Sequence, residues 1–79
     1  MRDAAKYVVL NEHTLCYRID GGHPSHLGIL NGSVLRGGHS PLKGWVYTFA
    51  TDVIRPATRA DFETFRVYLS ERFKKYVKE

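Results

Sequence analysis

The side chains with types suited to chemistry cluster in two glycine-rich stretches, Gly21-Gly22-His23-Pro24-Ser25 and Gly37-Gly38-His39-Ser40-Pro41. His23 and His26 stand three apart, and with His39 or Asp20 they are donor types that zinc accepts. No Cys-x-x-Cys or His-Glu-x-x-His pattern accompanies them, and water-exposed loop histidines ordinarily hold no metal. The sequence therefore places a metal site at His23, His26 and His39 last among its readings and calls for no cofactor. Cys16, Ser25, Ser33 and Ser40 are the available nucleophiles. Catalysis needs a base in contact with the nucleophile and a third group orienting that base. None of the four sits in a Gly-x-Ser-x-Gly frame, a lone strand cysteine is usually a small packed hydrophobe, and neither glycine pair continues into a phosphate-binding loop. A non-enzymatic chain is expected.

Recognition is the stronger theme. Trp45, Tyr47 and Phe49 alternate along one run, as on sheet surfaces that stack bases. Arg18, Arg36, Lys43, Arg55 and Arg59 are positioned in the sequence to add phosphate contacts. That is the nucleic-acid reading, for single strands or nonspecific DNA. The competing reading makes the same aromatics the core beneath a helix, because aromatic side chains dominate core burial, and it is preferred here. The opposite face, with Val46, Ala50 and Ile54, is then left for a partner, together with Val67 and Tyr68 on the helix flank. The leading functional expectation is accordingly a small binding or adaptor module working through protein–protein contacts, with a homodimer as one form of it.

The elements that must position these residues follow from periodicity. Tyr7–Leu10 and Leu15–Ile19 are apolar or β-branched runs split by Asn11-Glu12-His13-Thr14, a hairpin in which Leu15, Tyr17 and Ile19 share one face and Cys16 and Arg18 the other. Residues 27–36 read either as a hairpin about Asn31-Gly32 or as one strand bulged at Gly32, the second being preferred. The choice decides whether the two glycine loops share an end of the sheet. Trp45 to Ile54 alternates as a long strand ended by Arg55-Pro56. Thr58 and Asp61 form a capping-box pattern, and Phe62, Phe65, Leu69, Phe73 and Tyr76 make an apolar stripe at helical spacing over residues 59–78. The basic tail residues suit that helix's C-terminus, which explains them without a membrane. The expected fold is α+β: an antiparallel β-meander of about four strands and one C-terminal amphipathic helix packed on one sheet face, a single domain over residues 1–79.

Composition agrees with that scale. The chain has 79 residues, 43% of them hydrophobic and 25% charged, with a net charge of +4. Disorder and collagen are excluded by the apolar content, and a disulfide scaffold by the single cysteine. Residues 1–57 carry six basic and four acidic side chains, and residues 58–79 carry the same numbers, so neither part is a polybasic arm. The lone thiol and the absence of a signal-like N-terminus point to the cytoplasm.

Overall fold

The computed structural model describes residues 6–19, 21 and 25–77, the side chain of Val34 aside. Five antiparallel strands form one sheet: β1 (Tyr7–Leu10), β2 (Thr14–Arg18), β3 (His26–Gly32), β4 (Trp45–Tyr47) and β5 (Ile54–Pro56). They are ordered β4-β3-β2-β1-β5. The expected hairpin is present. Its turn is closed by His13 N–H to Leu10 C=O at 3.0 Å, with Asn11 and Glu12 both at positive φ, 50° and 59°, as the twist of a tight hairpin requires.

The long strand expected over residues 45–54 is instead two strands. Asp52 interrupts it: its carboxylate accepts Phe49 N–H at 2.7 Å, and its own N–H returns to Phe49 C=O. Asn11 clamps this turn, donating to Asp52 Oδ1 at 3.0 Å and accepting Val53 N–H at 2.7 Å. The chain is thereby delivered to β1, where Leu10 pairs with Ile54 and Val8 with Pro56.

Strand alternation gives the sheet two apolar faces. Val8, Leu10, Cys16 and Leu27 form one buried cluster, against which both Val46 and Ile54 pack. Those two residues belong to the opposite edge strands, which in a flat sheet of this order would stand roughly 19 Å apart at about 4.8 Å per strand. Each packs there beside its ladder partner, Val46 opposite Leu27 and Ile54 opposite Leu10, so the cluster runs across the sheet from edge strand to edge strand. The outer face carries the second cluster: Val9, Leu15, Ala57, Phe62 and Phe65.

The C-terminal segment departs from the expected 20-residue helix. The α-helix α1 covers Arg59–Thr64 and begins with the expected capping box, Thr58 N–H donating to Asp61 Oδ2 at 2.8 Å. It stops at a Schellman motif: Val67 N–H bonds Phe62 C=O at 2.8 Å and Arg66 N–H bonds Glu63 C=O at 3.1 Å, with Arg66 at φ 58°. Residues 67–70 belong to no helix or strand, Ser70 is extended, and a 3-10 helix covers Glu71–Tyr76. Packing accounts for the break. Off the helix, Val67 and Leu69 both pack against the outer cluster, whereas on one helix they would point about 200° apart. No helix among the described residues is long and apolar enough to cross a membrane.

Candidate recognition surface

β3 stops at Gly32, and residues 33–44 form an arm with two single-turn 3-10 helices, Val34–Arg36 and Pro41–Lys43. Neither reading of residues 27–36 is met in full. Asn31 is the last-but-one residue of the strand rather than a turn residue, and its side-chain amide caps α1 by donating to Phe65 C=O at 2.8 Å. The base of the arm is tied to the β1–β2 turn through backbone: Ser33 N–H to His13 C=O at 2.8 Å and Gly38 N–H to Ser33 C=O at 2.8 Å. His39 N–H donates to the buried hydroxyl of Thr14 at 3.0 Å, and the His13 and His39 rings meet edge to face at 5.7 Å.

This arm and the strand that follows it carry four of the eight exposed large apolar side chains found among the described residues. Leu35 is 99% and Leu42 96% exposed, and Trp45 and Tyr47 are 51% and 52% exposed. Phe49 and Val53 are exposed as well. The aromatic face is therefore open and is not the core beneath the helix. Its geometry follows from register. His26 lies directly opposite Tyr47, so their rings stack at 4.7 Å and 28°, while Trp45 meets both edge-on, 4.9 Å from Tyr47 and 4.7 Å from His26. Trp45 is opposite Gly28, and Gly28 is opposite Tyr17. The Tyr17 ring lies over that glycine, where a methyl group would come within 2.0 Å of it. An aromatic row thus crosses the sheet from Tyr17 to the β4 edge.

The face opposite Trp45 and Tyr47, expected to be free, is the inner one. Val46 and Ile54 pack on the buried cluster, while Ala50 is exposed in the 49–52 turn. Val67 is half-buried against the outer cluster. Tyr68 is exposed beside a groove of about 430 Å³ that Phe62, Leu69 and Lys74 also line.

The basic residues are not gathered around the aromatics. Arg55 forks onto Asp61 with two bonds of 2.8 Å and onto Glu12 through its Nε and, at 3.0 Å, its Nη2. The Arg55 guanidinium is the main cause that holds the Asp61 carboxyl down at about 2. This is a structural ion-pair network, and Arg55 has no donor face left for a phosphate. Arg36 donates to Glu12 C=O at 2.9 Å, close to the same network. Arg18 ends β2 and Arg59 opens α1, each with an interaction of its own. Lys43 is exposed and closest in sequence to Trp45.

The histidine trio is not assembled. His23 lies outside the described residues, His26 is within the aromatic cluster, and His39 is at the far end of β3, roughly 20 Å away at about 3.3 Å per residue. No group of three His, Cys, Asp or Glu side chains suited to a metal occurs among the described residues. Cys16 is buried, and burial pushes its thiol up to about 12, which leaves it without the thiolate a nucleophile needs.

What sequence reasoning missed is the pair Leu35 and Leu42, set in short 3-10 turns with nothing packed beneath them. One signal was available: no acidic residue occurs between Gly21 and Thr51, so this stretch has no acidic groups to balance or to solubilise it. No protein-family model, curated protein sequence or solved structure matches the chain.

Proposed function

We propose that this chain is a non-enzymatic binding module whose contact surface is the arm and β4 edge, residues 35–53, and whose partner is a protein. The observation that carries the reading is the exposure of Leu35, Leu42, Trp45, Tyr47 and Phe49 in one continuous segment. That segment contains three charged residues, Arg36, Lys43 and Asp52. Aromatic enrichment with depleted charge is the composition of interface centres, and large apolar side chains left in water are otherwise unfavourable at about 25 cal/mol per Å². The buried free thiol of Cys16 suits a reducing, cytoplasmic setting.

Site-specific photocrosslinking in cells tests this. With the crosslinker at Leu42 or Phe49, covalent adducts to a protein are expected; with it at the exposed Glu63 of α1, none above background. Equal yields at all three positions would overturn the reading. The second reading, single-stranded nucleic acid, draws on the open Trp45 and Tyr47 rings and the acid-free stretch around them. It calls for adducts at the same positions that nuclease removes, and for binding that weakens steeply with salt.

A further inference from the structure

The two edges of the sheet differ in their backbone. On β5, the bonds Asn11 N–H to Val53 C=O and Ala57 N–H to Tyr7 C=O fix which groups face β1, so alternation turns Ile54 and Pro56 outward. Pro56 has no N–H, and its C=O is taken by the Arg55 guanidinium at 3.2 Å. That edge is blunted in the way sheet proteins avoid edge pairing. On β4, Ile29 N–H to Gly44 C=O and Thr48 N–H to Ser25 C=O point residues 44, 46 and 48 at β3. Alternation therefore turns the N–H and C=O of Trp45 and Tyr47 outward, and the strand Trp45–Tyr47 carries neither proline nor charge.

We propose that the β4 edge pairs with the β4 edge of a second copy of this chain, antiparallel about Val46. This deepens the reading above by naming the partner, and it rests on that reading's contact surface. The argument for a second copy is self-complementarity. A twofold axis through Val46 sets Trp45 against the partner's Tyr47 and Tyr47 against the partner's Trp45, so the outward backbone groups of β4 in the two copies satisfy each other. The four rings fall on one face, as cross-strand aromatic pairs. Continuing the same register brings Lys43 toward the partner's Phe49, and no like charges oppose along the joint. The two sheets become one, and the aromatic row from Tyr17 to Trp45 runs on through the partner's Tyr47 and His26. Twofold pairs are the commonest assembly, and a joint this short belongs with weak, reversible interfaces.

The test uses the intact chain, whose sole tryptophan is Trp45. Sedimentation across a concentration series up to about 0.5 mM should show the mass rising from 9.1 kDa to twice that value, on the order of micromolar to submillimolar protein. The Trp45 emission should shift to the blue over the same range. Because each copy carries a net charge of +4, added salt should strengthen the association. Trp45→Glu and Tyr47→Lys each enter twice by symmetry and should each weaken self-association about tenfold. Mixed, the two variants should pair again, because the new carboxylate of one lies opposite the new ammonium of the other. Circular dichroism shows whether each variant is folded, and the wild-type series does not depend on them. A single-chain mass throughout overturns the proposal. So does a doubled mass with unchanged Trp45 emission, which would place the contact elsewhere. Both results leave the protein-contact reading to the crosslinking experiment, where a partner other than this chain appears as an adduct of different mass.

Discussion

Arg55→Ala is expected to lower stability by about 2–3 kcal/mol, because it leaves the Asp61 carboxylate, 8% exposed, without its counter-charge. Asp61 also accepts from Thr58 N–H and Thr58 Oγ1–H, so it cannot swing out to water without uncapping α1. Glu12, at positive φ, would lose the partner that rewards its strained position. In a domain of this length the change corresponds to a fall in Tm of about 10 °C or more. The same network sets the acid limb of stability. Asp61 titrates at about 2 in the folded chain against an ordinary 3.8, and a depressed carboxyl stabilises above its unfolded value. Its contribution, about 2 kcal/mol, is therefore complete above roughly pH 4 and is lost as pH falls through about 2. Asp61→Asn should flatten stability across that interval and lower it at neutral pH. Thermal melts at pH 2, 3, 4 and 7 measure both effects. An Arg55→Ala chain as stable as wild type would show that the fork is ornamental.

Gly38→Ala is expected to cost about 3 kcal/mol or more, although its neighbour Gly37→Ala should cost only about 1 kcal/mol. A methyl group at Gly38 would lie 1.9 Å from His13 C=O and 2.6 Å from Ser33 N, both backbone atoms, whereas at Gly37 it meets nothing within 4 Å. The cost at Gly37 is one of φ, 76°, which favours glycine; the cost at Gly38 is one of space. The contact also fixes the arm that carries Leu35 and Leu42, so Gly38→Ala should loosen the proposed contact surface along with the fold. Urea denaturation of the two variants separates the mechanisms, and amide hydrogen exchange at His39 shows whether the arm has come away. Equal, small losses would mean that the arm is not held where it stands here.

Legibility from the sequence followed how local each signal is. The β1–β2 hairpin, its face alternation and the capping box at Thr58 and Asp61 depend on neighbours within a few residues, and all are present. Asn31-Gly32 is as local a turn signal as exists, yet Asn31 serves α1, because its amide is needed by Phe65 C=O more than thirty positions away. The stripe Phe62, Phe65, Leu69, Phe73 and Tyr76 satisfies helical spacing, but Val67 could not be buried on it. Breaking the helix at Arg66 lets the outer cluster take Val67 and Leu69 together. Arg55 looked like a phosphate ligand because one sequence does not show that Glu12 and Asp61 converge on it.

The Trp45 face is the point at which the functional account turns. Helix on aromatic strand is the obvious pairing, but the other face of that strand is the one committed to the core, through Val46 packed with Ile54 on the buried cluster of Val8, Leu10, Cys16 and Leu27. With Val9, Leu15 and Ala57 already offering α1 an outer seat, the aromatic edge is surplus to folding. That surplus of exposed tryptophan, tyrosine and leucine is what the proposed contact surface rests on.

Acrylamide quenching of the Trp45 fluorescence in dilute protein tests this most directly. The expected result is red-shifted emission and a quenching constant well above that of a buried ring and below that of free tryptophan, as a half-exposed ring on an open edge requires. Blue-shifted emission that acrylamide barely quenches, persisting at the lowest concentrations measurable, would return Trp45 to the core and contradict the account.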